Sequence, residues 1–234
     1  MIERVATGIK GFDSLIEGGF PKGNAILLSG TPATGKTIFA LEYLINGIKK
    51  FNEKGLYITF EEKRWNLKNQ ALQFGWNLDE LEKKGNLIIK QVSPSEISKN
   101  TIKEIIDLAK ENDIKRLVID SLSTLSINTP STYLNVNEMN EYTIKRFIYS
   151  FVDELKQFDG ITSLLISQSI NDDSLSRDNV SEFICDGIIH LTFESMGGEF
   201  SRSLLVRKMR RTKNDEDIHP LEISKNGVVV HNIK

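Results

Sequence analysis

A single cysteine, Cys185, stands among the 234 residues, so the chain cannot close a disulfide on itself. Its three histidines, His190, His219 and His231, lack metal-ligand spacing to that cysteine and read as structural, as Cys185 itself reads as a small core residue. No apolar run approaches the roughly 18 to 20 residues of a membrane span. The opening Met1-Ile2-Glu3-Arg4 lacks the apolar stretch of a secretory signal, so the expected compartment is the cytoplasm and no membrane is expected. Neither sign of charge dominates, with 30 Lys and Arg against 32 Asp and Glu. A net charge of -2 excludes polyanion binding by bulk charge, and any nucleic-acid role needs a local basic surface. Low-complexity tracts, internal repeats and linkers are missing too, which makes residues 1–234 one expected domain. A chain of this length buries roughly 70 to 75% of its unfolded surface, enough for a core without staples.

What is present is alternation. Short β-branched and aliphatic runs at Ala25–Ser29, Leu56–Phe60, Leu87–Val92, Arg116–Ile119, Thr162–Ile166 and Ile188–Phe193 read as strands. Between them, apolar residues recur at three and four over Lys36–Lys50, Leu67–Phe74, Ile102–Glu111 and Glu138–Phe158, the period of helices. Such alternation predicts an α/β fold with a mostly parallel central sheet flanked by helices. The tail differs: Ser203–Met209, His219–Ile223 and Gly227–His231 read as strands with only turns between, so antiparallel carboxy-terminal strands are expected.

The most specific local signal is Gly30-Thr31-Pro32-Ala33-Thr34-Gly35-Lys36-Thr37, a complete GxxxxGK[ST] pattern that follows a strand and opens a helix. In that setting loop N–H groups and the helix N-terminus face phosphates, Lys36 neutralises β and γ oxygens, and the Thr37 hydroxyl joins the shell of Mg²⁺. Pro32 has no N–H to give and Ala33 tolerates positive φ less well than Gly, so the early loop is expected to hold phosphate less closely. Asp120 closes the apolar run Arg116–Ile119 and is the second expected Mg²⁺ ligand, acting through water. Glu61 and Glu62 follow the Leu56–Phe60 run and are candidates to activate water for in-line attack; a solvated charged loop is the alternative, because Lys63 and Arg64 come next. In Val206-Arg207-Lys208-Met209-Arg210-Arg211, strand alternation puts Lys208 and Arg210 on one face and Arg207 with Met209 on the other. They read either as a charge-defended edge strand or as basic fingers toward a triphosphate, their own or a neighbouring subunit's. Trp65 and Trp76 flank a predicted helix and read as packing residues, Trp65 being close enough to Glu62 to lie near a nucleotide or interface.

Together these residues resemble the KaiC-like branch of the RecA-type P-loop ATPases. The resemblance covers nearly the whole chain: Gly11-Phe12-Asp13, Gly18-Gly19-Phe20-Pro21-Lys22-Gly23, the Gly30–Thr37 loop, Thr59-Phe60-Glu61-Glu62, Phe74-Gly75-Trp76, Ile119-Asp120-Ser121 and Lys208-Met209-Arg210 occur in order. It implies a RecA-like fold, ATP as ligand with Mg²⁺, hydrolysis with Glu61 or Glu62 as the water-polarising base, and a hexameric ring with Lys208 and Arg210 acting across the subunit interface. It further implies one domain of the KaiC kind and not a fused pair, so a clock function does not follow. Where the autophosphorylating members carry Ser and Thr, this chain has Glu182 and Phe183, which lack hydroxyls and disfavour autokinase activity there. Thr212 and other hydroxyls leave it open elsewhere. Leu165-Ile166-Ser167-Gln168 is closer to the recombinase members, in which the Gln senses the nucleotide.

Two rival functions share the fold. A RadA-like recombinase would place DNA loops at Ile127–Asn140 and Ser169–Ser181, but the first carries Glu138 and no Lys or Arg, and the second Asp172, Asp173 and Asp178 against Arg177. Acidic loops repel the phosphates that DNA binding must neutralise, so nucleic acid is not the expected partner. The other rival is a slow or non-hydrolysing ATP-gated module that assembles with an unidentified protein partner; Glu61 and Glu62 argue for turnover over that.

Overall fold

The computed structural model describes residues 2–130, 141–158, 160–171, 174–194 and 201–233. Its centre is a nine-stranded sheet with a parallel body and an antiparallel extension. The parallel body comprises β3 (Ala25–Gly30), β4 (Lys54–Thr59), β5 (Leu87–Gln91), β6 (Ile114–Asp120), β7 (Thr162–Gln168) and β8 (Gly187–Phe193). β9 (Arg202–Met209), β10 (Ile218–Ser224) and β11 (Gly227–Val230) continue it antiparallel from β8. The spatial order is β11-β10-β9-β8-β3-β7-β6-β4-β5. A short antiparallel ribbon of β1 (Arg4–Val5) and β2 (Phe20–Pro21) lies at the amino terminus.

The parallel strands read as apolar runs because both faces are covered. In β3, Ile26 and Leu28 enter one core layer while Ala25 and Leu27 enter the other, the two-residue period of a strand. The first layer packs helix α1 (Lys36–Phe51), the amino-terminal segment and the carboxy-terminal hairpin, with Phe12, Phe39 and Tyr43 completely buried. The second packs α4 (Thr101–Glu111) and α6 (Glu141–Gln157) through Ile105, Phe147 and Phe151. Glu42, buried on α1, accepts from Val228 N at 2.6 Å and so ties β11 to that helix.

Arg116 of β6 is fully buried, donating from Nε to Glu53 Oε2 (2.6 Å), from one terminal nitrogen to Tyr43 O (2.9 Å) and from the other to Ala6 O (2.7 Å). Tyr43 and Phe51 flank the guanidinium at 4.8 and 5.1 Å from their ring centroids. Its shaft fills the space a side chain at position 47 of α1 would take: a Cβ on Gly47 would stand 2.4 Å from Arg116 Cδ and Nε.

Four departures from the predicted elements matter for the site. Helix α2 (Arg64–Leu72) starts ahead of the expected Leu67, with only Leu67 and Ala71 buried. Two short helices, α3 (Leu78–Lys83) and α5 (Leu122–Ile127), were not expected; α5 starts on the Ser121 side chain, which accepts from Thr124 N. β9 is internal, between β8 and β10, which removes the edge-strand reading of the basic tail segment. A register shift between Ile188 and Ile189 also breaks the expected alternation, leaving Arg207 exposed while Met209 is buried. Residues 138–140, the predicted start of α6, lie outside the described residues.

Candidate nucleotide site

After β3 the chain crosses by α1 to β4, passing over β7 and β6, so the carboxyl ends of β3, β4, β6 and β7 border one crevice. The Gly30–Thr37 segment turns there. Gly30 holds φ 156° where a Cβ would meet Leu191 O at 2.4 Å, and Gly35 holds φ 100° at the start of α1. Ala33 adopts φ 67°, the left-handed conformation that the sequence offers no glycine for. Thr34 Oγ1 closes the turn by donating to Thr31 O at 2.9 Å. Lys36 lies along the inner face, its Nζ donating to Gly30 O (2.8 Å) and Thr31 O (2.7 Å). Burial pushes its pKa down to about 8, against the pull of Asp120 and Glu61.

Asp120, at the end of β6, faces this lysine. Burial pushes its carboxyl up to about 6; the Tyr57 hydrogen bond and Lys36 oppose the rise, while Glu61 and Glu62 add to it. Tyr57, wholly buried on β4, donates to Asp120 Oδ2 at 2.6 Å and shares a hydrogen bond with the Thr37 side chain. One phenol therefore fixes the two predicted Mg²⁺ ligands relative to each other. Its own pKa is driven well up, by burial first and then by Asp120.

Glu61 and Glu62 leave β4 through a turn in which Glu62 N donates to Thr59 Oγ1 (2.9 Å) and Thr59 Oγ1 donates to Glu62 O (2.8 Å). The Glu61 carboxylate is exposed, yet three donors converge on it. Ser121 Oγ (3.0 Å) and Thr124 Oγ1 donate to Oε1, and Gln168 Nε2 donates to Oε2 at 3.2 Å. Gln168 is placed by its own backbone N, which donates to Ser123 Oγ at 2.8 Å. Asp120 and Glu61 thus face one ammonium, and Glu62 acts on Asp120 in turn, so the acids here outnumber Lys36. A divalent cation fits that excess. Among the described residues no group of three or more His, Cys, Asp or Glu is placed to hold a metal ion.

Lys208 and Arg210 are not brought to this crevice. β8 runs parallel to β3 with Leu191 beside Gly30 and Gly187 beside Ile26, while Lys208 pairs with Ile188 and Arg210 N bonds Asp186 O. They sit toward the opposite end of the sheet from their own loop. Lys208 Nζ donates to Glu182 O (3.1 Å) and Cys185 O (2.7 Å), and Arg210 to Asp186 Oδ1 (3.1 Å) and Phe183 O (3.2 Å). The lysine pKa is lowered, by burial first and then by Arg210. Around them Phe183 and Tyr149 are strongly exposed.

Sequence reasoning missed Tyr57, Ser121 and Thr124. The signal available was the hydroxyl-rich run Ser121-Leu122-Ser123-Thr124 directly after the strand that ends in Asp120. Trp76 packs as expected, stacked on Phe74 at 4.9 Å, but Trp65 is 60% exposed and does not serve the core of this chain. Cys185 is buried, and its thiol is driven up by burial. His190 lies beside Ser29 (3.3 Å), His219 beside Asp215 (3.1 Å) and His231 beside Glu222 (2.9 Å). Of the two loops weighed for DNA, Glu138 and the rest of 131–140, and Asp172 with Asp173, lie outside the described residues.

A parallel sheet with a glycine-bounded phosphate loop after β3 and an acid at the end of β6 defines a RecA-type P-loop protein. The family model described as "ATPase: KaiC" matches residues 5–234, and the chain belongs to that family. A UPF0273 protein of Thermotoga maritima is 35% identical over 99% of this chain and 97% of its own length. The circadian clock oscillator protein KaiC of Parasynechococcus marenigrum is 29% identical over 98% of this chain, which spans 45% of that relative's length. The crystal structure of a KaiC-like protein from Pyrococcus horikoshii superposes with a TM-score of 0.85 at 33% identity, covering 99% of this chain and 100% of the other.

Proposed function

We propose that this chain is a single-domain cytoplasmic ATPase that hydrolyses Mg-ATP at the carboxyl ends of β3, β4 and β6, and that it assembles into a ring, hexameric by analogy with its relatives. The observation that carries the reading is the Glu61 carboxylate, held beside Lys36 and Asp120 by donors from two further segments. That no helix among the described residues is long and apolar enough to cross a membrane is consistent with it.

Backbone N–H groups of Gly30–Thr37 and the start of α1 would receive the phosphates, and Lys36 would exchange its loop carbonyls for phosphate oxygens. Thr37 directly, and Asp120 through water, would hold Mg²⁺; that ion, when bound, spreads the charge of the phosphates. Glu61 orients the attacking water. A carboxylate offers about four lone-pair positions; Ser121, Thr124 and Gln168 take three, which leaves Oε2 one for a water proton. Lys208 and Arg210, too far along the sheet to reach their own loop, would stabilise transition-state charge on the nucleotide of the next copy.

The test is phosphate release from Mg-ATP by the parent and by Glu61→Gln/Glu62→Gln, with ATP binding measured on both. Turnover in the parent that disappears in the variant while ATP still binds is the expected result. Tight binding without release from either would make the chain an ATP-gated assembly module and move the search to its protein partner.

A further inference from the structure

We infer that Thr124, with Ser121 beside it, is a positioning residue for hydrolysis: the first turn of α5 is a two-hydroxyl clamp that fixes the rotamer of Glu61. The inference rests on the ATPase reading above and goes beyond it, to residues outside the phosphate loop.

Glu61 is the second residue past β4, exposed, on a side chain with three rotatable bonds; left alone, it would sample many positions. The clamp removes that freedom from one oxygen. Each hydroxyl owns one proton. Ser121 Oγ spends its proton on Glu61 Oε1 and its acceptor capacity on Thr124 N (3.3 Å), the bond that starts α5. Thr124 Oγ1 gives its proton to the same Oε1. With both protons committed to the carboxylate, the 3.1 Å approach of the two hydroxyl oxygens is a consequence of their shared acceptor and not a bond between them. Both side chains are buried, 0% and 5% exposed, so each hydroxyl has the backbone around it to hold its direction. Oε1 is thereby saturated, and the carboxylate can turn only so as to present Oε2, where Gln168 is the third donor. The placement joins three strand ends, β4 through Glu61, β6 through Ser121 and β7 through Gln168, so the clamp aims the carboxylate relative to the frame that also carries Asp120.

Thr124 gives the cleaner test, because Ser121 also caps α5 and its loss would loosen the helix. Thr124→Val keeps the shape and deletes the donor; Thr124→Ser restores the donor on a smaller side chain. A hydrogen bond to a charged group contributes about 1.5 to 3 kcal/mol, which corresponds to roughly 10- to 150-fold in rate. Steady-state phosphate release and ATP titration are measured on parent, Thr124→Val and Thr124→Ser. The expected result is a kcat for Thr124→Val reduced on that scale with ATP affinity and KM within about threefold of the parent, and recovery of most of the loss in Thr124→Ser. Parental kcat in Thr124→Val overturns the inference while leaving the ATPase reading intact. So does a Thr124→Ser as slow as the valine variant, which would assign the position to shape, or a Thr124→Val that no longer binds ATP. A parent that binds ATP without releasing phosphate overturns the hydrolytic reading and this inference together.

Discussion

Complementation between two inactive variants measures where Lys208 and Arg210 act. Arg210 N bonds Asp186 O, level with Ala25 at the start of β3, while the phosphate loop begins at Gly30. Five residue steps of strand separate them, about 17 Å at roughly 3.3 Å each. An extended lysine or arginine side chain does not cover that span, and both cations are directed instead to the 182–186 segment. If they serve the neighbour's nucleotide, Lys208→Ala/Arg210→Ala loses turnover on the scale of a removed arginine finger, roughly 10³- to 10⁵-fold. Glu61→Gln/Glu62→Gln is inactive for a different reason. A productive site in a mixed ring needs glutamates from one variant and cations from the other across a head-to-tail contact. With equal amounts and random assembly that happens at about one half times one half, or about a quarter, of the interfaces, whatever the number of copies. Exchanged mixtures should therefore recover about 25% of parental turnover per site, from components that have almost none. Subunit exchange is followed by native mass spectrometry. Mixed rings without recovered phosphate release would refute trans action and leave the two cations as anchors of the 182–186 segment.

Lys36→Ala should abolish ATP binding, and the parent should bind ATP progressively less well above pH 8. The lysine pKa is lowered to about 8 in the free protein, so its ammonium is intact below that value and is lost as pH rises through it. Affinity then falls by up to about tenfold per pH unit, by one-proton linkage, in calorimetry between pH 7 and 9; a flat profile would refute it. Glu42 tests the link between α1 and β11. Burial raises its pKa above the ordinary 4.5, so the cost of holding a buried carboxylate is absent below that pH and grows as pH rises through the folded value. Glu42→Gln keeps an acceptor for Val228 N without the charge and should melt higher than the parent at pH 7, the difference closing toward pH 4. A variant no more stable at pH 7 would show that the ion is better solvated than its burial implies.

The parallel strands were legible because burial on both faces writes them as unbroken aliphatic runs, and the loop was legible because phosphate chemistry tolerates few substitutes for Gly30, Lys36 and Thr37. α5 was not. Leu122–Ile127 is buried nearly all round, so it shows no amphipathic period, and its Ser and Thr residues read as turn formers. α2 was misplaced for the opposite reason: Arg64 and Trp65 are exposed, so only Leu67 and Ala71 announce a buried stripe. At the site, Asp120 could be read from its place after a strand, whereas Tyr57 could not, since a tyrosine within a strand looks like packing until its hydroxyl is seen on a carboxylate. Alternation predicted that Lys208 and Arg210 share a face, and both meet the 182–186 segment; the shift at Ile188 that separates Arg207 from Met209 is a register property that no local pattern carries.

The guanidinium inside the first core layer couples the identities of residues far apart in the chain. Position 47 must lack a side chain for as long as position 116 is arginine, because a methyl group there would fall 2.4 Å from Cδ and Nε. The coupling extends to Glu53, the acceptor at Nε, and to the rings at Tyr43 and Phe51. Homologous sequences should therefore vary at 47, 53 and 116 as a set. Chains with alanine or larger at 47 should carry a shorter, uncharged residue at 116 and be free of the acid at 53, and a graft of any one of these residues alone into another background should cost more than a graft of all three.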